Sequence, residues 1–123
     1  MTHIKIGGRE FALAFTLDGM DTLEKLMGGF DISMITDYTY SPKGLGDMVY
    51  AMAQQGELLE GRELDVDRAW IGSHLSPAPK KVLDTRLCIL SCIEEAMRME
   101  SSGDGDEVDV ALAEIKKKEM KAV

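Results

Sequence analysis

The sequence lacks most features that mark a secreted or membrane protein. It has only two cysteines among 123 residues, which is too few for a secreted fold built on disulfides. It contains no apolar run of about 18 residues, so no segment is predicted to span a membrane. Its start alternates apolar and polar residues, which predicts no signal peptide and therefore a cytoplasmic protein.

Basic residues are also scarce. Lys and Arg total 14 against 22 Asp and Glu, so the formal net charge is −8. An acidic protein repels phosphate backbones and anionic lipids, so we expect neither nucleic acid nor a membrane as a partner. With 45% hydrophobic and 29% charged residues, the composition is typical of one globular domain.

Residue patterns that would support chemistry are few. Cys88 and Cys92 are spaced i, i+4 on a predicted helix, but a structural zinc site needs about four ligands. His3 and His74 fall on unrelated elements, and His74 is expected to lie near the tryptophan four residues before it. No glycine motif for binding phosphate is present. We therefore predict no catalytic, metal or cofactor site, and a protein that is not an enzyme.

The first fifteen residues predict a β-hairpin at residues 3–15. Two apolar sets alternate with polar or small residues on either side of Gly7-Gly8, a pair suited to a tight turn. These sets are Ile4 and Ile6, then Phe11, Leu13 and Phe15. A two-stranded ribbon has two open edges, which suggests a homo-oligomer formed through a hairpin edge.

Apolar residues at helical spacing predict four helices, at about residues 17–27, 42–55, 66–75 and 80–100. A short additional helix near residues 32–35 is left open. Start and stop signals are Thr16 and Gly28-Gly29 for the first helix, Ser41-Pro42 and Gly56 for the second, and Asp65 for the third. In the third helix, Val66, Ala69 and Trp70 are expected to face inward.

These elements predict an α+β fold that is mostly α, with the hairpin packed on a small bundle of four to five helices. Residues 1–100 form the globular domain, and the long helix at 80–100 is expected at its centre. Residues 57–67 hold five acids and one arginine, which predicts a solvated link. Residues 101–123 are interpreted as a linker and a mobile C-terminal helix.

The nine methionines lie largely on or beside the helical stripes. Flexible thioether side chains fill irregular cores, and they also line surfaces that accept apolar helices. Both interpretations stay open for residues such as Met48 and Met52.

The N-terminal quarter of the chain resembles the start of phage tail assembly chaperones, small proteins encoded before the tape measure protein. The matching stretches are IKIGGREFALAFTL at residues 4–17 and LEKLMGG at residues 23–29. From residue 41 to 100 the similarity is one of helix pattern. The acidic charge and the chain length are also similar to those of the family.

The resemblance implies a non-catalytic function in a phage or prophage. Such a chaperone binds the tape measure protein and keeps it soluble in the bacterial host cytoplasm during tail morphogenesis, with the tail tube protein as a further partner, and it is absent from the mature virion. Partner contacts are expected at Val108, Leu112 and Ile115 of the C-terminal helix, and at Met48 and Met52.

Two other functions stay open. A structural head–tail connector or minor tail protein of the virion is the main alternative. A small helix-turn-helix regulator is less favoured, because the basic residues of the long helix are scattered rather than clustered on one face. These basic residues are Lys80, Lys81, Arg86 and Arg98.

Overall fold

The computed structural model of this chain describes residues 1–99. Its architecture is α+β and mostly helical, as predicted. The elements are β1 (Thr2–Ile6), β2 (Arg9–Leu13), α1 (Leu17–Met27), a 3-10 turn (Ile32–Met34), α2 (Ile35–Tyr40), α3 (Pro42–Leu59), α4 (Arg68–His74) and α5 (Pro79–Met99). The C-terminal helix expected beyond residue 100 lies outside the described residues.

The strands β1 and β2 form the predicted antiparallel hairpin, with Ile4 opposite Phe11. Its turn is Gly7-Gly8, and both residues have positive φ angles, of 57° and 79°. Left-handed backbone at both turn positions is the conformation that glycine adopts without steric cost. The local sequence signal was therefore sufficient to fix this element.

The helix α3 packs across the outer edge of β2. The backbone N–H of Ala14 donates to the Met52 carbonyl at 3.0 Å, and the N–H of Ala12 donates to the Glu57 carboxylate at 3.0 Å. A Cβ atom on Gly56 would collide with the Ala12 carbonyl. The predicted helix end at Gly56 is thus wrong, because this glycine permits close approach of helix and strand rather than ending the helix.

The centre of the fold is α3, which packs against β2, α1, α2, α4 and α5. The prediction that the long C-terminal helix is central is wrong: α5 packs on β1 and along one side of α3. The largest fully buried side chains are Phe11, Leu13, Leu23, Ile35, Met48, Met52, Ile71, Ile89, Leu90 and Ile93.

The helix starts follow from side-chain caps, but one was assigned to the wrong residue. Thr16 accepts from the Gly19 N–H at 3.0 Å, and Ser41 accepts from the Gly44 N–H at 3.2 Å, as predicted. The cap of α4 is Asp67 rather than Asp65. The shift changes the inward face of α4, which buries Ile71 and leaves Ala69 exposed.

The short helix left open by the sequence is present and longer than considered. The 3-10 turn at Ile32–Met34 leads directly into α2, which ends at Tyr40. Tyr38 belongs to this helix, and its hydroxyl accepts from the Asp31 N–H at 3.0 Å. Its ring also stacks on Phe30, with 5.3 Å between centroids, so that α2 holds the loop after α1.

A buried aspartate joins three helices. Asp47 of α3 is 2% exposed and accepts from Arg68 Nε at 2.7 Å and from Lys43 Nζ at 2.6 Å. Lys43 also donates to the Leu26 carbonyl at the end of α1. The pairing of this charge satisfies it away from water, and it ties α4 and the C-terminus of α1 to α3.

A second buried acid, Glu57, corrects the expected solvated link at residues 57–67. Besides the Ala12 N–H, its carboxylate accepts from Arg62 Nε at 3.1 Å and Arg62 Nη2 at 2.9 Å. The Arg62 guanidinium lowers the pKa of Glu57 below its ordinary value. Glu57 thus forms an ion pair with Arg62 and a hydrogen bond to the hairpin backbone. Acidic composition alone does not indicate this tertiary contact.

Candidate functional site

The structure places the predicted partner contacts Met48 and Met52 in the core. Their exposed fractions are 0% and 1%, so neither side chain has surface for a partner to contact. The core-filling interpretation describes these two methionines, because a partner could reach them only if α3 separated from its neighbours. The other predicted contacts, Val108, Leu112 and Ile115, lie outside the described residues.

The two edges of the hairpin differ in accessibility. The Ala12 N–H donates to Glu57 and so points away from β1. Ala12 and its partner His3 are therefore a non-hydrogen-bonded pair of the hairpin. The same holds for Glu10 and Lys5, because the two kinds of pair alternate along the strands. The outer edge of β2 is covered by α3. On β1, the backbone groups of His3 and Lys5 point outward, so oligomer formation through a hairpin edge would have to use β1.

The outer edge of β1 faces a cleft of about 360 Å³, which we call the β1 cleft. Its walls are β1, the C-terminal end of α4 and the first half of α5. The charged and titratable side chains that line it are His3, Lys5, His74, Lys81, Asp84 and Cys88. Two lysines and two histidines thus face one aspartate, on a chain whose net charge is −8.

The two histidines were predicted to lie on unrelated elements, and the structure brings both to this cleft. The ring of His74 stacks on Trp70 with 4.0 Å between centroids, which confirms the expected neighbour. Its Nδ1 lies 2.8 Å from the Trp70 carbonyl, so this nitrogen is engaged within α4. Within residues 1–99, no three His, Cys, Asp or Glu side chains are grouped so as to hold a metal ion.

Neither cysteine has the properties of a nucleophile. Burial raises the pKa of Cys92 to about 12. The pKa of Cys88 is also raised, mainly by burial and to a smaller extent by the negative charge of the nearby Asp84. Neither cysteine is in a disulfide. Because their pKa values are raised, both thiols are protonated at neutral pH, whereas the thiolate is the reactive form. The Cys88 thiol donates to the His3 carbonyl at 3.9 Å, a contact between α5 and the edge of β1.

Sequence reasoning missed three leucines that are exposed at the start of α1 and the end of α3. Leu17 is 80% exposed, Leu58 53% and Leu59 63%. The first turns of α1 contact α3, since Thr16 Oγ1 donates to Gln55 at 2.9 Å. Leu59 follows Gln55 by one helical turn and so lies on the same side of α3. We call these three residues the leucine patch.

A second cleft, of about 270 Å³, lies between α2, α3 and the start of α5. Its lining is mainly apolar and includes Tyr40, Pro42, Leu45, Leu75, Pro77 and Val82. Arg86 borders it, with the guanidinium 4.1 Å from the centroid of the Tyr40 ring. This guanidinium also donates to the Thr39 carbonyl at 2.9 Å, so it fixes the wall of the cleft.

No family model matches the chain, and neither a curated protein nor a solved structure matches it. None of the helices within residues 1–99 is both long and apolar enough to cross a membrane. The features on which a function can be argued are the leucine patch and the two clefts.

Proposed function

We propose that this protein is a phage tail assembly chaperone, which binds the tape measure protein and keeps it soluble during tail morphogenesis without catalysing a reaction. The proposal is carried by the resemblance over residues 4–29, a stretch that forms the hairpin and α1 in this fold. Long helical proteins with uncovered apolar stripes aggregate. A chaperone for such a protein needs an apolar surface on an otherwise acidic body.

The leucine patch provides a surface with this chemistry. It lies where α1 begins and α3 ends, so helix ends rather than a deep groove present the leucines. The acidic residues Asp18 and Glu60 adjoin it in sequence. An apolar stripe of a partner helix would cover the leucines, while neighbouring charges keep the complex in solution.

Co-expression with the cognate tape measure protein tests the proposal. The wild-type chain is expected to raise the soluble fraction of that protein and to co-purify with it. The double variant Leu58→Ser/Leu59→Ser is expected to lose both effects, because it removes most of the leucine patch. Leu87→Ser on α5, where the leucine is 40% exposed, is the matched control and should behave like the wild type.

Two outcomes contradict the proposal. One is that solubility and recovery of the tape measure protein are unchanged when this chain is absent. The other is a stoichiometric band of this protein in purified virions, which would identify a connector or minor tail protein. Circular dichroism of each leucine variant must match that of the wild type, so that loss of binding is not loss of fold.

A further inference from the structure

Unpaired lysines are concentrated at the β1 cleft and next to it. Within residues 1–99, every arginine pairs with a carboxylate or a carbonyl, as do Lys25 and Lys43. The lysines of this range that have no such partner are Lys5, Lys80 and Lys81. Lys5 and Lys81 both line the β1 cleft, so two unpaired positive charges border one space on an acidic chain.

The ring of His74 adds a third donor to the cleft, and the fold fixes its orientation. Nδ1 donates to the Trp70 carbonyl at 2.8 Å, because a carbonyl oxygen can only accept. The ring therefore titrates at Nε2, which has a lone pair in the neutral form and an N–H in the charged form. Within residues 1–99, Nε2 has no hydrogen-bond partner. The ring is held between Trp70, on which it stacks, and Gly7, where a Cβ atom would lie 3.1 Å from Cδ2.

The donors of the cleft suit a phosphoryl group better than a carboxylate. They come from three elements, with His3 and Lys5 on β1, His74 on α4 and Lys81 on α5, against the single carboxylate of Asp84. No arginine is among the described residues that line the cleft, and the flat fork of arginine is the side chain that matches a planar carboxylate. A phosphoryl group is tetrahedral, carries up to two charges and has three free oxygens. It can therefore accept from separate directions at once.

The size and the apolar part of the cleft suit a small organic molecule. Ile4, Ile6 and Leu75 also line it, and both isoleucines are more than nine-tenths buried. The volume of about 360 Å³ falls in the range of small-molecule sites. A longer polyanion such as nucleic acid would instead meet the field of a chain whose net charge is −8.

We propose that the β1 cleft binds the phosphoryl group of a small molecule, with Lys5, His74 and Lys81 as its donors. The two ammonium groups supply charge, and Nε2 of His74 donates in its charged form, which a nearby dianion favours. The ligand is either inorganic phosphate or a small phosphate monoester, since both present the same group. This binding activity goes beyond the proposed chaperone function, and neither depends on the other.

An NMR titration of the full-length chain at low salt, with inorganic phosphate and with phenyl phosphate, tests the site. The backbone amides of Lys5, Ser76 and Lys81, which line the cleft, are expected to shift and to saturate with one dissociation constant. Tighter binding of phenyl phosphate would identify a monoester as the ligand, and equal binding of the two would identify free phosphate. The absence of saturable shifts up to about 10 mM of either compound overturns the proposal.

Two double variants separate binding in the cleft from general attraction to positive charge. Lys5→Gln/Lys81→Gln should weaken binding at least about tenfold, because it removes both ammonium donors. Lys25→Gln/Lys80→Gln removes the same charge outside the cleft and should bind within about twofold of the wild type. All four lysines are exposed, so both variants should fold. Equal weakening in the two variants overturns the proposal.

Sulfate separates the role of His74 from that of the lysines, because it stays doubly charged over the pH range in which histidine titrates. Sulfate should bind at least about threefold more tightly at pH 6 than at pH 8, since the charged ring adds a donor. His74→Gln should reduce this ratio, and His3→Gln measures the share of the second ring. The charged groups around His74 are His3, Lys5, Lys81 and Asp84 of the cleft, and Arg9, which lies over the Trp70 ring. A ratio that is the same in the wild type and in His74→Gln overturns the assignment of His74 as a donor.

Discussion

At the scale of single residues, the chain uses buried acids as joints between elements. Asp47 and Glu57 both belong to α3, and their exposed fractions are 2% and 7%. Each accepts hydrogen bonds from a basic side chain and, for Glu57, from the hairpin backbone. For Glu57 these donors hold the pKa of the carboxylate below its ordinary value, so this joint depends on pH.

Glu57→Gln should reveal the pH dependence of one joint. The folded pKa of Glu57 is below its ordinary value of 4.5, so the carboxylate stabilises the fold above that value and loses this effect as pH falls through the folded pKa. At pH 7 we expect the variant to be less stable by about 1–2 kcal/mol, since it loses the charged bonds to Arg62. Urea unfolding at pH 7 and at pH 3 measures the difference, which should shrink in acid.

The exposed ion pair between Arg9 and Asp65 provides the control. Its atoms lie 2.6 Å apart, but both side chains are well exposed. Asp65→Asn should therefore change the free energy of unfolding by less than about 0.5 kcal/mol. A Glu57→Gln effect as small as this, or one that grows in acid, would contradict the assignment of Glu57 as a buried joint.

At the scale of elements, contact between α3 and the hairpin depends on one glycine. Gly56 lies against the Ala12 backbone without room for a Cβ atom. Gly56→Ala should lower the free energy of unfolding by about 2–3 kcal/mol, because backbone rather than a flexible side chain must move. Chemical denaturation of the two proteins measures this change.

Gly19→Ala in α1 is the matched change. Its Cβ would meet Gln55 Cγ at 3.3 Å, a side-chain atom that can shift, and alanine favours the helix over glycine by up to about 1 kcal/mol. We expect this variant to be as stable as the wild type or slightly more stable. Equal losses of stability in both variants would contradict the assignment of Gly56 to close approach with Ala12.

The same glycines show how far sequence reasoning reaches. The hairpin turn and the limits of α1 depend on local geometry, which Gly7-Gly8, Thr16 and Gly28 encode directly, and these predictions are confirmed. Gly56 looks the same in sequence as a helix stop. Its role depends on a strand more than 40 residues away, so local rules could not assign it.

Long-range packing likewise explains what was missed at the candidate site. The methionine pattern could not separate core from surface, and Met48 and Met52 proved to be core. Leu17 opens α1 and is nevertheless 80% exposed, which helical spacing alone does not indicate. The β1 cleft combines residues from β1, α4 and α5, and no sequence spacing indicates that assembly.

At the scale of the whole molecule, α3 contacts β2 and every other helix within residues 1–99. Neither β2 nor any of these helices can therefore leave the core without uncovering part of α3. This arrangement predicts that the hairpin and the helices unfold together rather than in separate steps.

Trp70 allows this cooperativity to be measured, because it is the only tryptophan in the chain. Its ring packs edge-on against Phe11 of the hairpin at 5.9 Å, so its fluorescence reports the contact between hairpin and α4. Far-UV circular dichroism reports the helices. We expect both signals to give the same urea midpoint, and Phe11→Leu to lower both midpoints by the same amount, since loss of buried volume weakens the shared core. A fluorescence midpoint well below that of circular dichroism would show instead that the hairpin detaches while α3 stays folded.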